Sequence, residues 1–424
     1  MLLTNCAACA APLAFEAPRC VRCKLRYCDS TCQHDHWRRG HKQTCKKIFR
    51  KGGAEKYHAD KKYKEAVAVA VEACAAAVPT GAKCYICLDE SKPGLVRSCG
   101  CRGTSGFAHV ECLARQAETM DANAKPEDKD PAFAGSDMTP KWWQWCRLCG
   151  QKFDGAVRIA LARACWRAYA TDDVSLEAGL TRGPIAFLQL GDALYETGHL
   201  DEAIPIFEAL VEESEGLLRL VEKEHSKFTL RGRAEAADKY RSLGRSVLLA
   251  HVDEAERRLL NIYSAQDARE EKERVLGRLY PRAVELHGAA HERTLDYATR
   301  LAACLQDDDK NREARSFLQE PIAAARRASV PDSVPLLKLR WIYASVCAKD
   351  PGASLEMLIE TTPLLEECVL TARRLLGEEH AVTVIGTQVL HEHGGNVAKA
   401  KARRVLERFI SRFKARRRAR LRAA

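Results

Sequence analysis

Aromatic residues are scarce in this 424-residue chain, at 7%, although 46% of its residues are hydrophobic. Alanine supplies much of the difference, which favours helices. No long apolar run is present either. The nearest, AVAVAVEACAAAV at 66–78, falls short of the ~20 residues that span a bilayer and contains Glu72. No apolar segment precedes Cys6 and Cys9, so the start does not read as a secretory signal. These absences predict a soluble intracellular protein, cytoplasmic or nuclear. In that setting, nineteen cysteines point to bound metal and not to disulfides.

Fourteen of the cysteines fall into two clusters before residue 150, mostly as C-x-x-C or close variants. The other five (Cys74, Cys165, Cys304, Cys347 and Cys368) lie in apolar helical sequence and read as buried small hydrophobes. The net charge of +11 is local. The final stretch SRFKARRRARLRAA holds seven basic and no acidic side chains, leaving +4 for the rest. Fourteen thiolates with four divalent ions would subtract six more, taking the body to about −2. That balance argues against a general nucleic-acid binder, apart from the basic tail.

In the first cluster the order is C6-x2-C9-x10-C20-x2-C23-x4-C28-x3-C32, then H41-x3-C45. Eight ligands make two closed tetrahedral sites with no open position for water or substrate. The C-x3-C and H-x3-C steps suit one face of a helical turn. The run YCDSTCQHDHWRRGHKQTC resembles a MYND finger. By that resemblance Cys6, Cys9, Cys28 and Cys32 form one site, and Cys20, Cys23, His41 and Cys45 the other. His34 and His36 read as solvated. MYND fingers resemble peptide-docking modules, often for proline-rich segments; a finger that merely folds the N-terminus is the alternative. Some accompany SET methyltransferases, which carry an Asn-His motif, and no Asn precedes a His in this chain. Downstream, KKYKEAVAVAVEACAAAV reads as a spacer helix ending at Pro79.

The second cluster runs C84-x2-C87-x11-C99-x-C101-x7-H109-x2-C112-x33-C146-x2-C149. By resemblance to the cross-brace zinc fingers that share this ligand order, Cys84, Cys87, His109 and Cys112 would hold one structural zinc, and Cys99, Cys101, Cys146 and Cys149 the other. Gly100, Gly103 and Gly106 would let the chain turn between ligands of different sites. This C4HC3 order is shared by RING-CH and PHD fingers, and CGCRGTSGFAHVECL resembles the centre of a RING-CH domain. By that resemblance the module recruits a ubiquitin-conjugating enzyme, and Ile86 occupies the usual apolar contact position. Two positions depart from the family: Gln116 stands where a Trp is usual, and Gly150 where many RING domains have Arg or Lys. The polar insert near 117–141 reads as a flexible loop. Trp142, Trp143 and Trp145 could stand in for the missing Trp on the docking face; the reading here is that they pack over the metal core or the next helix.

Beyond Gly155 the apolar spacing is helical and strand patterns are absent. FLQLGDALYETGHLDEAIPIFEAL (187–210) matches a tetratricopeptide repeat, with small residues where two helices touch. HGAAHERTLDYATRLA and LGEEHAVTVIGTQVL share G-x-x-H-x-x-T at an 89-residue displacement, resembling kinesin light chain-like arrays. His291 and His380 would serve inter-helix turns. Leu406, Phe409, Ile410 and Phe413 form an i, i+3, i+4, i+7 stripe that suggests a capping helix before a basic tail, itself either frayed in solvent or an import or anionic-partner signal.

The expected architecture is mainly α: two small cross-brace zinc modules followed by an α-solenoid. The expected divisions are 1–46, a linker at 47–80, 81–153, 155–413 and a tail at 414–424. Four structural Zn(2+) ions and no catalytic side chain are expected. The functional reading is a soluble RING-CH-type ubiquitin ligase that selects substrate through its repeats or MYND-type finger. The alternative is a non-enzymatic adaptor that docks proteins.

Overall fold

The computed structural model describes residues 4–89, 92–123, 141–169, 183–230, 234–328, 333–350 and 354–423. Most of the insert expected to be a flexible loop lies outside them; its first residues, 117–123, belong to a helix. The chain divides into two compact units, Met1–Ile262 and Tyr263–Ala424.

In the first unit, short helices α1 (Ser30–His36) and α2 (Lys42–Arg50) follow two cysteine-bearing turns. Asp29 caps α1 by accepting from the Cys32 N–H at 2.8 Å, which fixes where that cysteine points. Next comes α3 (Ala54–Cys74), continued by a 3-10 turn at Ala75–Ala77. A two-residue antiparallel pair, β1 (Leu95–Val96) and β2 (Ala108–His109), then leads into α4 (Val110–Asn123). After α5 (Gly155–Tyr169), the hairpin of α6 (Gly183–Glu196) and α7 (Leu200–Leu230) opens the repeats, and α8 (Ala234–Ala265) follows.

The spacer helix is not a spacer. Tyr63, Ala70 and Cys74 of α3 share one buried core with Phe107, Leu113, Trp143, Val157 and Cys165. That core runs from residue 63 to residue 165, wider than the span of the ligands. Polar contacts close its rim: the Tyr63 hydroxyl donates to Glu111 at 2.8 Å, and Arg167 lies 3.9 Å over the Tyr63 ring. The Tyr169 hydroxyl donates to Asp121 on α4.

The α6–α7 pair packs as its sequence spacing requires. Phe187, Leu190, Leu194, Ala203 and Phe207 are all buried. A methyl at Gly191 would sit 2.6 Å from the Phe207 ring, so only glycine allows this approach.

The second unit contains α9 (Arg269–His287), α10 (Glu292–Asp307), α11 (Asn311–Arg327), α12 (Val334–Lys349), α13 (Leu355–Leu376) and α14 (Ala381–Ala423). Helices pack on their neighbours, and α12 also touches α10 and α14, the stacking pattern of a solenoid. The two G-x-x-H-x-x-T motifs build the same turn. Gly288 (φ 91) and Gly377 (φ 88) end α9 and α13, and His291 and His380 then accept from backbone N–H groups at 3.2 Å. Both histidines act as helix caps. Cys74, Cys165, Cys347 and Cys368 are buried as expected, while Cys304 is half-buried.

Candidate metal centres

Among the described residues, four groups of side chains converge, each with its ligand atoms within 4.8 Å of one another. They are Cys6, Cys9, Cys28 and Cys32; Cys20, Cys23, His41 and Cys45; Cys84, Cys87, His109 and Cys112; and Cys99, Cys101, Cys146 and Cys149. All sixteen ligand positions expected from the sequence are thus brought together in the expected fours. The last group closes across the long insert.

The spacings suit a zinc-sized tetrahedron. Zn–S bonds of about 2.3 Å and Zn–N bonds of about 2.0 Å give edges near 3.8 Å between sulfurs and near 3.5 Å from sulfur to nitrogen. Cys9 and Cys28 are 3.5 Å apart, Cys20 and Cys45 3.8 Å, and Cys101 and Cys146 3.8 Å. Cys23 lies 3.4 Å from His41 Nε2, and Cys87 3.4 Å from His109 Nδ1. These separations are far too long for disulfides.

One local turn is used four times. After each C-x-x-C pair the next residue adopts a left-handed conformation: Ala10 (φ 61), Lys24 (φ 65), Leu88 (φ 60) and Gly150 (φ 66). In each case its N–H donates to the carbonyl of the first cysteine at 2.9 Å. The turn aims both sulfurs to one side and frees N–H groups to face them. Gly150 is therefore the residue best suited to its conformation, and a β-carbon there would meet nothing within 4 Å. Gly106 (φ 79) is different. A β-carbon there would lie 2.8 Å from Cys101 Sγ, so a side chain would displace a ligand. Gly100 has no such backbone need; it leaves room for the Gln151 side chain.

The thiols show what a cation would have to do. Burial would raise Cys6, but N–H donors from Cys9, Ala8 and Cys28 outweigh it and bring the thiol to about 6. Cys84 falls to about 7 in the same way, and the Gln151 N–H lowers Cys149 to about 7. Their partners move up: burial and neighbouring thiolates push Cys32 and Cys112 to about 12, and Cys99 to about 11. The first proton leaves each group readily, and thiolate repulsion holds back the rest. A divalent cation would relieve that repulsion, so the residues fit such an ion.

The two histidines are oriented differently. His109 presents Nδ1 to its group because Nε2 bonds the Lys92 carbonyl at 3.0 Å. His41 presents Nε2, and its ring stacks on His36 at 5.0 Å. His36 is thus half-buried and not solvated, with Nδ1 3.1 Å from the Tyr27 hydroxyl. It supports a ligand. His34, by contrast, is exposed, as expected of a solvated ring.

Comparison with known families now decides the assignment. The MYND finger model matches residues 6–45, and the RING-variant domain model matches residues 84–125. The chain carries both fingers. The RING-variant match stops before Cys146 and Cys149, which the fold nevertheless delivers to Cys99 and Cys101. Ubiquitin C-terminal hydrolase 15 of Oryza sativa subsp. japonica is 55% identical over 42 residues, 10% of this chain and 4% of that protein. Ubiquitin carboxyl-terminal hydrolase 17 of Arabidopsis thaliana is 52% identical over 43 residues, 10% of this chain and 6% of that protein. The chain therefore spans only a small fraction of these curated relatives. Two crystal structures of TPR-like repeats from a Podosopora anserina protein of the kinesin light chain type, one of them a point variant, align over 47% of this chain. They cover 96% and 95% of those chains at 14% and 15% identity, each with a TM-score of 0.29. The repeat assignment rests instead on packing such as that of Gly191 against Phe207.

On the RING-variant finger, Ile86 is half-buried against the core, whereas Leu88 is 69% exposed and Leu148 54% exposed. Gln116 is not a vacant place for a Trp: it accepts from the Tyr85 hydroxyl at 3.3 Å. Trp143 is fully buried and Trp142 packs on the same core, as expected of both. Trp145 is half-buried, with the Lys152 ammonium 5.6 Å from its ring.

No sequence signal marks Arg158. This α5 side chain is 1% exposed and reaches Gln144 at 3.1 Å, Gln189 at 3.4 Å and Glu196 at 3.4 Å. It ties the finger, two residues before Cys146, to the first repeat helix. Only a buried arginine in an amphipathic segment could have signalled it, and exposure is not written in the sequence.

Proposed function

We propose that this protein is a soluble ubiquitin ligase, cytoplasmic or nuclear, whose RING-variant finger recruits a ubiquitin-conjugating enzyme. Four structural zinc ions hold its two fingers. Each has four protein ligands and no open position, so the metal activates no water. Such a ligase contributes orientation of a charged conjugating enzyme and needs no nucleophile. The repeats, or the MYND finger with its peptide-docking character, would hold the substrate segment. The observation that carries this reading is apolar surface on the finger's ligand turns: Ile86 and Leu88 on one, Leu148 on the other. Similarity to two proteins named as ubiquitin hydrolases, over 42 and 43 residues, agrees with a place in ubiquitin chemistry.

Autoubiquitination with a panel of purified conjugating enzymes tests the reading. Ile86→Ala should lower transfer at least roughly tenfold, the scale of a lost interface anchor. Metal content should stay unchanged, because Ile86 ligates nothing. The second reading, an adaptor without transfer, is favoured by Gln116, whose bond to Tyr85 leaves a polar group where a docking ring is usual. A wild-type chain inactive with every enzyme in the panel would leave the adaptor.

A further inference from the structure

Phe15 belongs to the MYND finger by sequence and to the repeats by packing. The finger's own buried core takes in Leu13, Leu25 and Tyr27 but not Phe15. Phe15 is 5% exposed and clusters instead with Leu217 and Val221 of α7 and Leu248 of α8. Leu218 and Leu220 of α7 pack against the same cluster. Among the described residues, its one aromatic ring is that of Phe15. The ring sits where Gly216 leaves α7 without a side chain, so close that a β-carbon there would overlap it. The Phe15 N–H donates to Glu212 on the same helix at 2.8 Å.

Arg26 places that ring. Its side chain is buried and donates to the Ala14 carbonyl at 2.5 Å and to the Phe15 carbonyl at 3.0 Å. Burial and Arg19 pull this arginine below its ordinary pKa, while Glu213, Glu55 and Glu212 pull it back, so it stays charged. The Arg26 backbone is in turn held by the ligand turns. It lies between Cys23 and Cys28, and its carbonyl accepts from the Ala7 N–H, inside the Cys6–Cys9 turn, at 3.1 Å. A short run of contacts thus leads from the group of Cys6, Cys9, Cys28 and Cys32 to Arg26, then to Phe15, then to α7. That group is also the most open of the four. Cys9 and Cys28 are both exposed, whereas each of the other three groups has at most one exposed cysteine.

We propose that the Cys6, Cys9, Cys28 and Cys32 site gates the Phe15 seat on the repeats: loaded with metal it holds Phe15 against α7 and α8, and emptied it lets Phe15 withdraw and uncovers Leu217, Val221 and Leu248. Without an ion, the Cys6–Cys9 turn loses the bonds that tie it to Cys28 and Cys32. Arg26 then loses the backbone contact that positions it, and the carbonyls of Ala14 and Phe15 lose the donor that shapes their turn. Phe15 has no place in the finger's own core to keep it there. The repeats thereby respond to the metal state of a finger that contributes no helix to them. This device rests on metal occupancy of the MYND finger and not on ubiquitin transfer, so it is tested apart from the ligase reading.

Hydrogen exchange of the full-length, zinc-loaded chain tests this, with zinc counted in the same samples. Cys9→Ser removes one ligand of this group alone and should leave fewer ions bound than in the wild type. Exchange over 210–221 should then rise by roughly tenfold or more, while 54–74 and 155–169 keep their protection. Phe15→Ala should give the same rise over 210–221 with the zinc count unchanged, because Phe15 ligates nothing. Gly216→Ala, which also leaves every ligand in place, should match it, although alanine by itself favours the helix. Adding Cys9→Ser to Phe15→Ala should raise exchange over 210–221 no further. Protection over 210–221 that survives loss of the ion in Cys9→Ser overturns the proposal. So does a further rise in the double variant, since metal would then reach α7 by another path. Unchanged exchange in both Phe15→Ala and Gly216→Ala overturns it equally, whether or not Cys9→Ser folds.

Discussion

Stripped of metal by a strong chelator at neutral pH, the protein should lose the folded structure of the described residues between 4 and 169 and not merely of its two fingers. Structural zinc contributes on the order of 10–16 kcal/mol per site in small fingers, far more than a small module's packing can replace. The second finger's core takes in α3 and α5, so those helices lose the share of that core that the ligand turns, β1–β2 and α4 supply when the ligands separate. Hydrogen exchange should show protection falling in 54–74 and 155–169 together with the ligand turns. The helices of Tyr263–Ala424 hold none of the sixteen ligands, and their circular dichroism signal should persist. Acidification should act in the same direction, because protons compete with the metal for thiolates; affinity falls as pH drops. Elemental analysis should return four zinc ions per chain, and a value of two would mean that one finger does not bind metal. Unchanged protection in α3 and α5 after complete metal removal would refute the shared core.

Arg158→Ala should destabilise the first unit by about 3 kcal/mol, lowering its melting temperature by roughly 5–10 °C. Burial pulls this arginine below its ordinary pKa, while Glu196 and Asp192 pull it back, so the group is held charged among its acceptors. Removing it leaves the buried Gln144 and Gln189 without this donor. Glu196 is 38% exposed and can turn to water, which keeps the cost below that of a fully buried ion pair. The neighbouring Lys152–Glu196 pair is a useful contrast. Its side chains are 40% and 38% exposed, and Lys152→Ala should cost no more than about 1 kcal/mol. Arg158→Lys should fall between the two, since it keeps the charge and loses the planar fork that serves three acceptors. Calorimetry of the three variants would decide; an Arg158→Ala protein as stable as the wild type would reduce this network to incidental contact.

Most of the metal chemistry is readable from the sequence because ligands arrive as local pairs. A C-x-x-C step specifies its own turn, and the four turns here share one geometry whether the following residue is Ala10, Lys24, Leu88 or Gly150. Pairing of distant halves is readable only through family likeness, and even there Cys146 lies beyond the matched span. The α6–α7 hairpin is readable from Gly191 and Phe207, where size alone dictates contact. What stays hidden is tertiary. Nothing in KKYKEAVAVAVEACAAAV says whether its small residues face water or a core; the answer depends on α5, far along the chain. The support His36 gives to His41 depends on a helical turn that stacks the rings, and Gln116 can be judged only once Tyr85 stands beside it. The MYND finger likewise docks where no local pattern points. Phe15 sits so close to Gly216 on α7 that a β-carbon there would overlap its ring, and the Phe15 N–H donates to Glu212 at 2.8 Å.

The fifteen-residue helix α5 packs both on the RING-variant finger and on the first repeat helix. One side of it lies in the finger's core, and Trp166 meets Phe187 of α6 with ring centroids 4.8 Å apart. A flexible linker would let a held segment sample many positions, with an effective concentration set by chain statistics. Here the α6–α7 hairpin is held directly against the finger, through the packing of α5 on α6 and the Arg158 and Lys152 contacts to Glu196. Whatever the hairpin grips is offered to the finger at one reach and one bearing. On the proposed ligase reading, partners of equal affinity would be sorted by where their acceptor groups fall relative to that fixed position, and kinking α5 would change which of them are served without touching a single binding residue.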